Sequence, residues 1–173
     1  TKMAAASGAV AALLLTQILY KKPDLTMVLN GALAGLVSIT AEPLAPSLFG
    51  ALWIGAVGGV IVVLTVPLLD KLKIDDVVGA IPVHFFAGIW GTLIVAVNTQ
   101  TENADGVARS VGEQFAIQAV GTASICAFVF VVSLVLWLIL KAVMGIRVGE
   151  EEEVTGLDMT ELGMEAYPEF SKG

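Results

Sequence analysis

The sequence has few charged residues, one cysteine and one histidine. Only 14% of its 173 residues are charged and 57% are apolar, whereas a soluble domain has about a quarter charged and 45–50% apolar residues. This composition excludes a disordered chain, a nucleic-acid-binding protein and an ordinary soluble domain. The single cysteine, Cys126, lies within an apolar run, which excludes a disulfide framework and a cysteine-based zinc site.

The sequence also lacks the motifs of catalysis. It contains no Gly-rich phosphate loop, no paired carboxylates within an apolar segment, no Ser-His-Asp set and no cluster of metal ligands. An enzyme needs such a constellation to bind and activate its substrate. We therefore expect a protein that is not an enzyme and that has neither a cofactor nor a metal site.

The net charge of −7 is unevenly distributed. Residues 1–148 carry equal numbers of acidic and basic side chains, whereas residues 149–173 carry eight acids and one lysine. A neutral apolar part and a polar acidic part are physically different objects. The sequence therefore predicts two regions, a transmembrane region over 1–148 and an acidic tail over 149–173.

Five apolar segments follow one another in the first region. They are too long for membrane strands, and in lipid the backbone polar groups must be satisfied internally, so they are predicted to be helices. The second segment is short and the fifth is long enough that it must tilt, bend or project from the membrane. The fold is therefore expected to be all-α, a polytopic membrane helix bundle with helices at about 3–20, 25–40, 48–69, 77–97 and 112–146.

The distribution of basic residues predicts the orientation. Lysine and arginine are concentrated in the first and third loops and after the fifth segment, and such loops face the cytoplasm. The C-terminus is then cytoplasmic, the N-terminus is outside, and the protein lies in the cell membrane. An odd number of spans without an initiator Met suggests a part of a longer protein.

Small residues recur at the spacing of helix contacts. Three such rows are Gly31 and Gly35; Ala51, Gly55 and Gly59; and Ala80, His84 and Gly88. Rows of this kind allow helix backbones to approach closely in lipid. They predict a compact bundle, with general helix packing at least as probable as a specific dimer face.

His84 is the only histidine, and it lies eight residues into the fourth apolar segment. A titratable group in hydrocarbon is costly and usually faces a cavity or a partner. Two interpretations stay open: a neutral imidazole bonded to a nearby carbonyl, or a pore-lining imidazole that accepts and donates one hydrogen bond.

Other polar residues have simpler interpretations. For Thr40, Ser38 and Asn30, local hydrogen bonding within the helix is the more probable role for each residue alone. Asp75 and Asp76 precede the fourth helix, and one of them is expected to cap its N-terminus.

Several segments resemble the ammonium transporter family (Amt/MEP/Rh). They are Asn30-Gly-Ala-Leu-Ala-Gly-Leu-Val-Ser-Ile-Thr40, Gly50-Ala-Leu-Trp-Ile-Gly55, Ile74-Asp-Asp-x-x-Gly-Ala-x-Pro-Val-His84, Gly88-Ile-Trp-Gly91 and, in the tail, Gly145-Ile-Arg-Val-x-x-Glu-Glu-Glu and Gly156-Leu-Asp158. The resemblance places the chain at the C-terminal part of an eleven-helix protein, from about the seventh helix to the cytoplasmic tail. It implies transport of ammonium or ammonia by a homotrimer with one hydrophobic pore per subunit.

The resemblance also implies roles for individual residues. His84 matches the second of two stacked pore histidines, Thr40 a vestibule threonine, Leu33 and Ala80 positions lining the apolar lumen, Asn30 a polar position near its inner end, and Asp76 a structural aspartate. In the tail, Thr160 matches a threonine that is phosphorylated in some relatives. The resemblance also implies a regulatory role for Gly156 and Asp158 in the tail, where Leu162 stands at a position that is often histidine in family members.

Three functions are therefore compared. The first is a transporter, to which a nitrogen-regulatory signal protein could bind at the cytoplasmic face. The alternative is a non-conducting membrane ammonium sensor that signals through its tail, and ammonium-evoked current discriminates the two. The third is a structural remnant that folds only with the missing half.

In the tail, Tyr167-Pro168-x-Phe170 supplies apolar anchors that a purely solubilising segment lacks.

Overall fold

The computed structural model of the protein describes residues 1–99, 101–165 and 167. Its helices are α1 (Lys2–Tyr20), α2 (Leu25–Ser38), α3 (Leu48–Lys71), α4 (Ala87–Asn98), α5 (Val111–Val143) and α6 (Glu150–Thr155). A π-helical segment, Ile81–Phe86, runs directly into α4, and a second, Asp158–Leu162, follows α6.

The prediction of an all-α fold is confirmed. Within the described ranges the only β-pairing is an isolated antiparallel bridge between Glu102 and Ala108. Four helical stretches are long and apolar enough to cross a membrane: Lys2–Tyr20, Leu48–Lys71, Ile81–Asn98 and Val111–Val143. The helix α2 has only 14 residues, as its short apolar run predicts.

The structure places the start of the fourth helix later than the predicted residue 77. Gly79 has φ of 75°, a left-handed conformation that helical residues do not adopt and that favours glycine. The Asp76 carboxylate then accepts hydrogen bonds from the backbone N–H groups of Ala80 at 2.9 Å and Ile81 at 2.7 Å. This is the capping predicted for one of the two aspartates, and it fixes the beginning of the π-helical segment.

The second and fifth helices also differ slightly from their predicted bounds. After Ser38 the chain tightens, because the N–H groups of Ile39 and Thr40 bond to carbonyls three residues back, so α2 ends two residues early. The helix α5 ends at Val143 instead of about 146, since Gly145 has a left-handed φ of 76°.

The helices α1, α2 and α3 pack backbone against backbone. A methyl group placed on Gly8 of α1 would lie 2.2 Å from the carbonyl oxygen of Gly31 on α2. A methyl on Gly59 of α3 would lie 2.2 Å from the carbonyl oxygen of Gly8. Gly35 and Gly55 approach the Ala4 carbonyl oxygen equally closely, so the small-residue rows of α2 and α3 both meet α1.

Two buried clusters complete the core around these contacts. One contains Ile39, Ile54 and Ile94 with Ala4 and Ala51, and Trp53 and Trp90 pack against it. The other joins α2 and α3 to the fourth helix through Ala34, Val62, Val83 and Ala87. The second cluster therefore seats the π-helical segment on α2 and α3.

The chain divides into two compact units, Thr1–Cys126 and Ala127–Gly173. The boundary lies within α5 and not at residue 148. This boundary reflects which residues are in contact in space, whereas the predicted boundary reflects charge and hydropathy. The division into a membrane region 1–148 and a tail 149–173 therefore stays a prediction. Of the tail anchors, Pro168 and Phe170 lie outside the described residues.

The first prediction concerns the glycine contact. Gly8→Ala forces a methyl group against the backbone of α2, and overpacking of this kind costs about 1–3 kcal/mol. We expect a clear loss of thermal stability of the purified protein in detergent, measured by tryptophan fluorescence. Gly112→Ala is the control, because no atom lies within 4 Å of its added methyl. Equal melting temperatures for the two variants would contradict the packing.

The second prediction concerns the cap. Asp76→Ala removes both acceptors from the start of the π-helical segment, and loss of a helix cap costs about 0.5–2 kcal/mol. The variant should melt at a lower temperature and exchange the amide hydrogens of Ala80 and Ile81 faster. Asp75→Ala is the matched control, since Asp75 is exposed and makes no such bond to these groups. Faster exchange in both variants would argue against the cap.

Candidate functional site

His84 lies in the π-helical segment with its side chain exposed in this chain. The N–H of Ala87 bonds to the carbonyl of Pro82, five residues back, which is the π-helical pattern and is frequent at functional sites. Pro82 and Val83 are buried while His84 and Phe85 face outward. Among the described residues the imidazole has no hydrogen-bond partner, which disfavours the interpretation of a histidine bonded to a nearby carbonyl.

His84 lines a cleft of 280 Å³ between the fourth helix and the first half of α5. One wall comes from the fourth helix: His84, Phe85, Gly88, Ile89 and Thr92. The other wall comes from α5: Gln118, Gly121, Thr122, Ile125 and Cys126. The lining contains no aspartate, glutamate, lysine or arginine side chain.

The neighbouring helix α2 presents an exposed row of mostly apolar side chains. Leu29, Leu33 and Leu36 recur every three or four residues and are exposed, so they share one face of the helix. Thr40 is also exposed and follows two residues after the end of α2. Leu33 is 48% exposed. The hydroxyl of Thr40 donates to the carbonyl of Leu36 at 2.7 Å, the local bond that was the more probable interpretation of this residue.

Ala80 and Asn30 lie where α2 meets the turn before the fourth helix. The methyl group of Ala80 is exposed, whereas Asn30 is only 8% exposed. The amide nitrogen of Asn30 donates to the carbonyl of Val78 at 3.0 Å, and a methyl on Gly79 would meet that nitrogen at 2.7 Å. Asn30 therefore holds the turn against α2, and its pore-lining role stays an expectation.

Gly88 has more space than its place in a small-residue row suggests. The nearest atom to an added methyl is a side-chain carbon of Val37 at 3.8 Å, an ordinary van der Waals distance. The close helix approach expected at this position is instead found at Gly91, where a methyl would lie 2.6 Å from the carbonyl oxygen of Ser38. Gly88 contributes its open side to the cleft.

A buried carboxylate that sequence reasoning missed connects two loops. Glu42 is 5% exposed and follows α2. It accepts hydrogen bonds from the Asn98 amide at 3.0 Å and from the Thr99 hydroxyl at the end of α4. The available signal is a single acid between Ala41 and Pro43, in a loop without any lysine or arginine.

The tail residues singled out by the sequence lie in the second unit. Gly156 has φ of 102° and ends α6, after which Asp158 and Thr160 lie in the second π-helical segment. Thr160 is exposed and its hydroxyl donates to the Gly156 carbonyl at 3.4 Å. The Nη2 group of Arg147 donates hydrogen bonds to both oxygens of the Glu153 carboxylate at 2.7 Å. This arginine is therefore paired with an acid of the tail.

The described ranges contain no group of three or more His, Cys, Asp or Glu side chains that could hold a metal ion. What the site offers instead is a mostly apolar surface with uncharged polar groups and one imidazole. Its ring can donate one hydrogen bond and accept another when neutral. This arrangement suits the passage of small neutral molecules better than the binding of ions.

Comparison with known proteins gives concordant results. The sequence model of the Ammonium Transporter Family matches residues 1–167. The chain is 38% identical to ammonium transporter Amt2 of Archaeoglobus fulgidus and 38% identical to ammonium transporter Amt1 of Haloferax mediterranei, with 98% of this chain covered in each case. A solved structure described as a sensor Amt protein superimposes with a TM-score of 0.85 at 36% identity over 92% of this chain.

The chain spans 38% and 32% of the length of the two transporters and 40% of the sensor protein. The match therefore covers nearly all of this chain but less than half of each of the longer proteins. The similarity in sequence extends through the π-helical segment, α4 and α5 into the tail. The chain belongs to the Ammonium Transporter Family.

Proposed function

We propose that this chain contributes to the transport of ammonium or ammonia across a membrane, as part of a longer transporter. The observation that carries the proposal is the placement of the lone His84 on an exposed, otherwise apolar surface that includes Ala80. Exposed Leu33 lies on the packed neighbour α2. Family membership and relatives named as ammonium transporters support it.

The physics of selectivity favours such a surface. Ammonium and potassium ions are similar in size, so a site built from oxygen ligands would discriminate poorly between them. An apolar lumen rejects any bare cation, because removing its hydration shell is costly. Ammonia is neutral and can pass, while His84 supplies a hydrogen-bonding point on the way. In this proposal ammonium loses a proton before ammonia enters the lumen, and that proton follows an imidazole relay.

Further features of the proposal follow from the family and the charge pattern. The transporter is a homotrimer in the cell membrane, with the C-terminus in the cytoplasm. Lys71 ends α3, Lys73 lies in the loop after it, and Lys141 lies near the end of α5, so these positions face the cytoplasm under the positive-inside rule. The acidic tail is then available to a nitrogen-regulatory signal protein. Thr40, just after the C-terminal end of α2, faces the outer vestibule.

A membrane ammonium sensor is the second candidate function. The observation in its favour is the structural match to a protein described as a sensor Amt protein. Ammonium-evoked current in proteoliposomes containing the complete protein separates the two functions, because a non-conducting sensor produces none.

The third prediction tests the imidazole. In the complete transporter, His84→Asp places a carboxylate on the apolar surface, where attraction to a bare cation is strong because the local dielectric constant is low. Selectivity for methylammonium over potassium should fall by about tenfold or more, equivalent to about 1.4 kcal/mol, through potassium entry or loss of amine flux.

The control adds the same charge elsewhere. In Asn103→Asp the side chain can keep its bonds from the N–H groups of Asp105 and Val107, which the Asn103 oxygen accepts at 3.0 Å. This variant should behave like the parent. Unchanged methylammonium uptake and unchanged potassium exclusion in His84→Asp would remove the imidazole from the transport path.

The fourth prediction tests regulation by the tail. A phosphate on Thr160 would add about −2 of charge among existing acids, and the added repulsion should rearrange the tail. Thr160→Asp should therefore reduce methylammonium uptake, while Thr160→Ala should remain near the parent. Uptake is measured at equal membrane abundance.

Thr155→Asp is the matched control, because Thr155 is also exposed and the added charge is the same. Equal inhibition by both aspartates would indicate a general charge effect. If both Thr160 variants and a deletion of residues 149–173 transport like the parent, the tail is only a solvated end.

A further inference from the structure

A row of polar side chains runs along one face of α5. Gln114, Gln118, Thr122 and Cys126 recur at every fourth position of this helix. Residues four apart lie on one face of a helix. Gln114 is buried and accepts a hydrogen bond from the Thr101 hydroxyl at 2.5 Å. The other three residues line the cleft that also contains His84.

Thr122 differs from the threonines in the other three candidate membrane spans. Thr16, Thr65 and Thr92 each donate to the carbonyl four residues back, at 2.8, 2.6 and 2.9 Å. The hydroxyl oxygen of Thr122 is buried and has no hydrogen-bond partner among the described residues. Buried polar atoms almost always have a partner, from the protein or from an ordered small molecule. The unpaired hydroxyl therefore indicates an occupant of the cleft.

The rest of the lining can bind the same occupant. The side chain of Gln118 makes no hydrogen bond within the part of the chain that the structure describes, so its amide offers both donors and an acceptor. Thr92 has already donated its proton to the Gly88 carbonyl, so its oxygen can only accept. The His84 ring provides one donor and one acceptor when neutral.

The size and charge of the cleft restrict what it can hold. Its volume of 280 Å³ exceeds the ~30 Å³ that one water molecule occupies in the liquid, so several small molecules fit. No carboxylate lines it, and nothing there would compensate an ammonium ion for its lost hydration. The occupant must be small and neutral, and it must both donate and accept hydrogen bonds.

We propose that this cleft binds water or ammonia on the hydroxyl group of Thr122, and that the bound molecules connect the polar row of α5 to the imidazole of His84. Binding of ammonia rests on the proposed transport function, whereas binding of water does not. The site gives α5 a role next to His84, although the shape of the surface around His84 comes from α2 and the fourth helix.

The experiment is a high-resolution structure of the complete transporter that contains this chain. Density for a small molecule should lie about 2.7–3.0 Å from the Thr122 hydroxyl oxygen in the parent and in Thr122→Ser. It should disappear in Thr122→Val, which has nearly the same shape without the hydroxyl. Thr16→Val is the matched control, because its hydroxyl bonds to the Ala12 carbonyl, and it should retain the density.

Two results would overturn the proposal. The first is a Thr122 hydroxyl that bonds to a side chain of another part of the complete protein or to a helix carbonyl. The second is a parent cleft without bound molecules. Crystals soaked in methylamine at alkaline pH distinguish the two sources: density that lengthens by a methyl group identifies an amine site, and unchanged density identifies water, and either supports the proposal.

Methylammonium uptake by proteoliposomes of the same preparations tests the transport function separately. A parent protein that takes up no methylammonium would contradict the proposed transport, and the density at Thr122 would still decide the site. With transport intact, Thr122→Val should lower uptake by roughly two- to tenfold, the effect of one lost hydrogen bond. Thr122→Ser should restore uptake.

Discussion

Contact between backbones at Gly8 is the constraint on which the rest of this structure depends. In lipid the hydrocarbon tails are as apolar as the side chains, so helices associate through close van der Waals contact and not through a hydrophobic driving force. At Gly8, Gly31 and Gly59 the carbonyl oxygens lie where a side chain would otherwise be. With α1, α2 and α3 locked in this way, α2 and α3 provide the surface on which Val83 and Ala87 are buried.

The position of His84 follows from that surface through a short series of polar contacts. Asn30 on α2 holds the Val78 carbonyl, Gly79 turns the chain, and Asp76 caps the next two N–H groups. Burial of Val83 then directs His84 outward. None of these residues carries out chemistry, yet each one limits where the imidazole can lie.

Much of the fold could be predicted, because its main determinants are local. The length and apolarity of the runs predict the helices, and their small-residue rows predict the close packing at Gly31, Gly35, Gly55 and Gly59. The start of the fourth helix could not be predicted as well, since hydropathy continues through Val77 and Val78 while a left-handed Gly79 interrupts the helix.

The candidate site was predictable only in part, because local sequence determines only some of its features. His84 is conspicuous as the only histidine in the chain, and Thr40, just after the end of α2, forms the expected local bond to the carbonyl four residues back. Glu42 and Thr122 were missed, because their significance depends on residues distant in the sequence. Glu42 meets Asn98 and Thr99, and Thr122 is distinguished by a bond that it does not make.

The π-helical segment also has a consequence for the register of the helix that follows it. A π turn contains one more residue than an α turn, and each residue of an α-helix advances by about 100°. A deletion of one residue within Ile81–Phe86 would therefore let a continuous α-helix form without moving Thr92 or Gly91. The residues between the Asp76 cap and the deletion would be rotated by about a quarter of a turn. For a deletion after His84, the imidazole would then occupy a different angular position relative to Gly91 and Thr92, which stay in place. The length of this segment, and not only the identity of its histidine, is thus a determinant of the site.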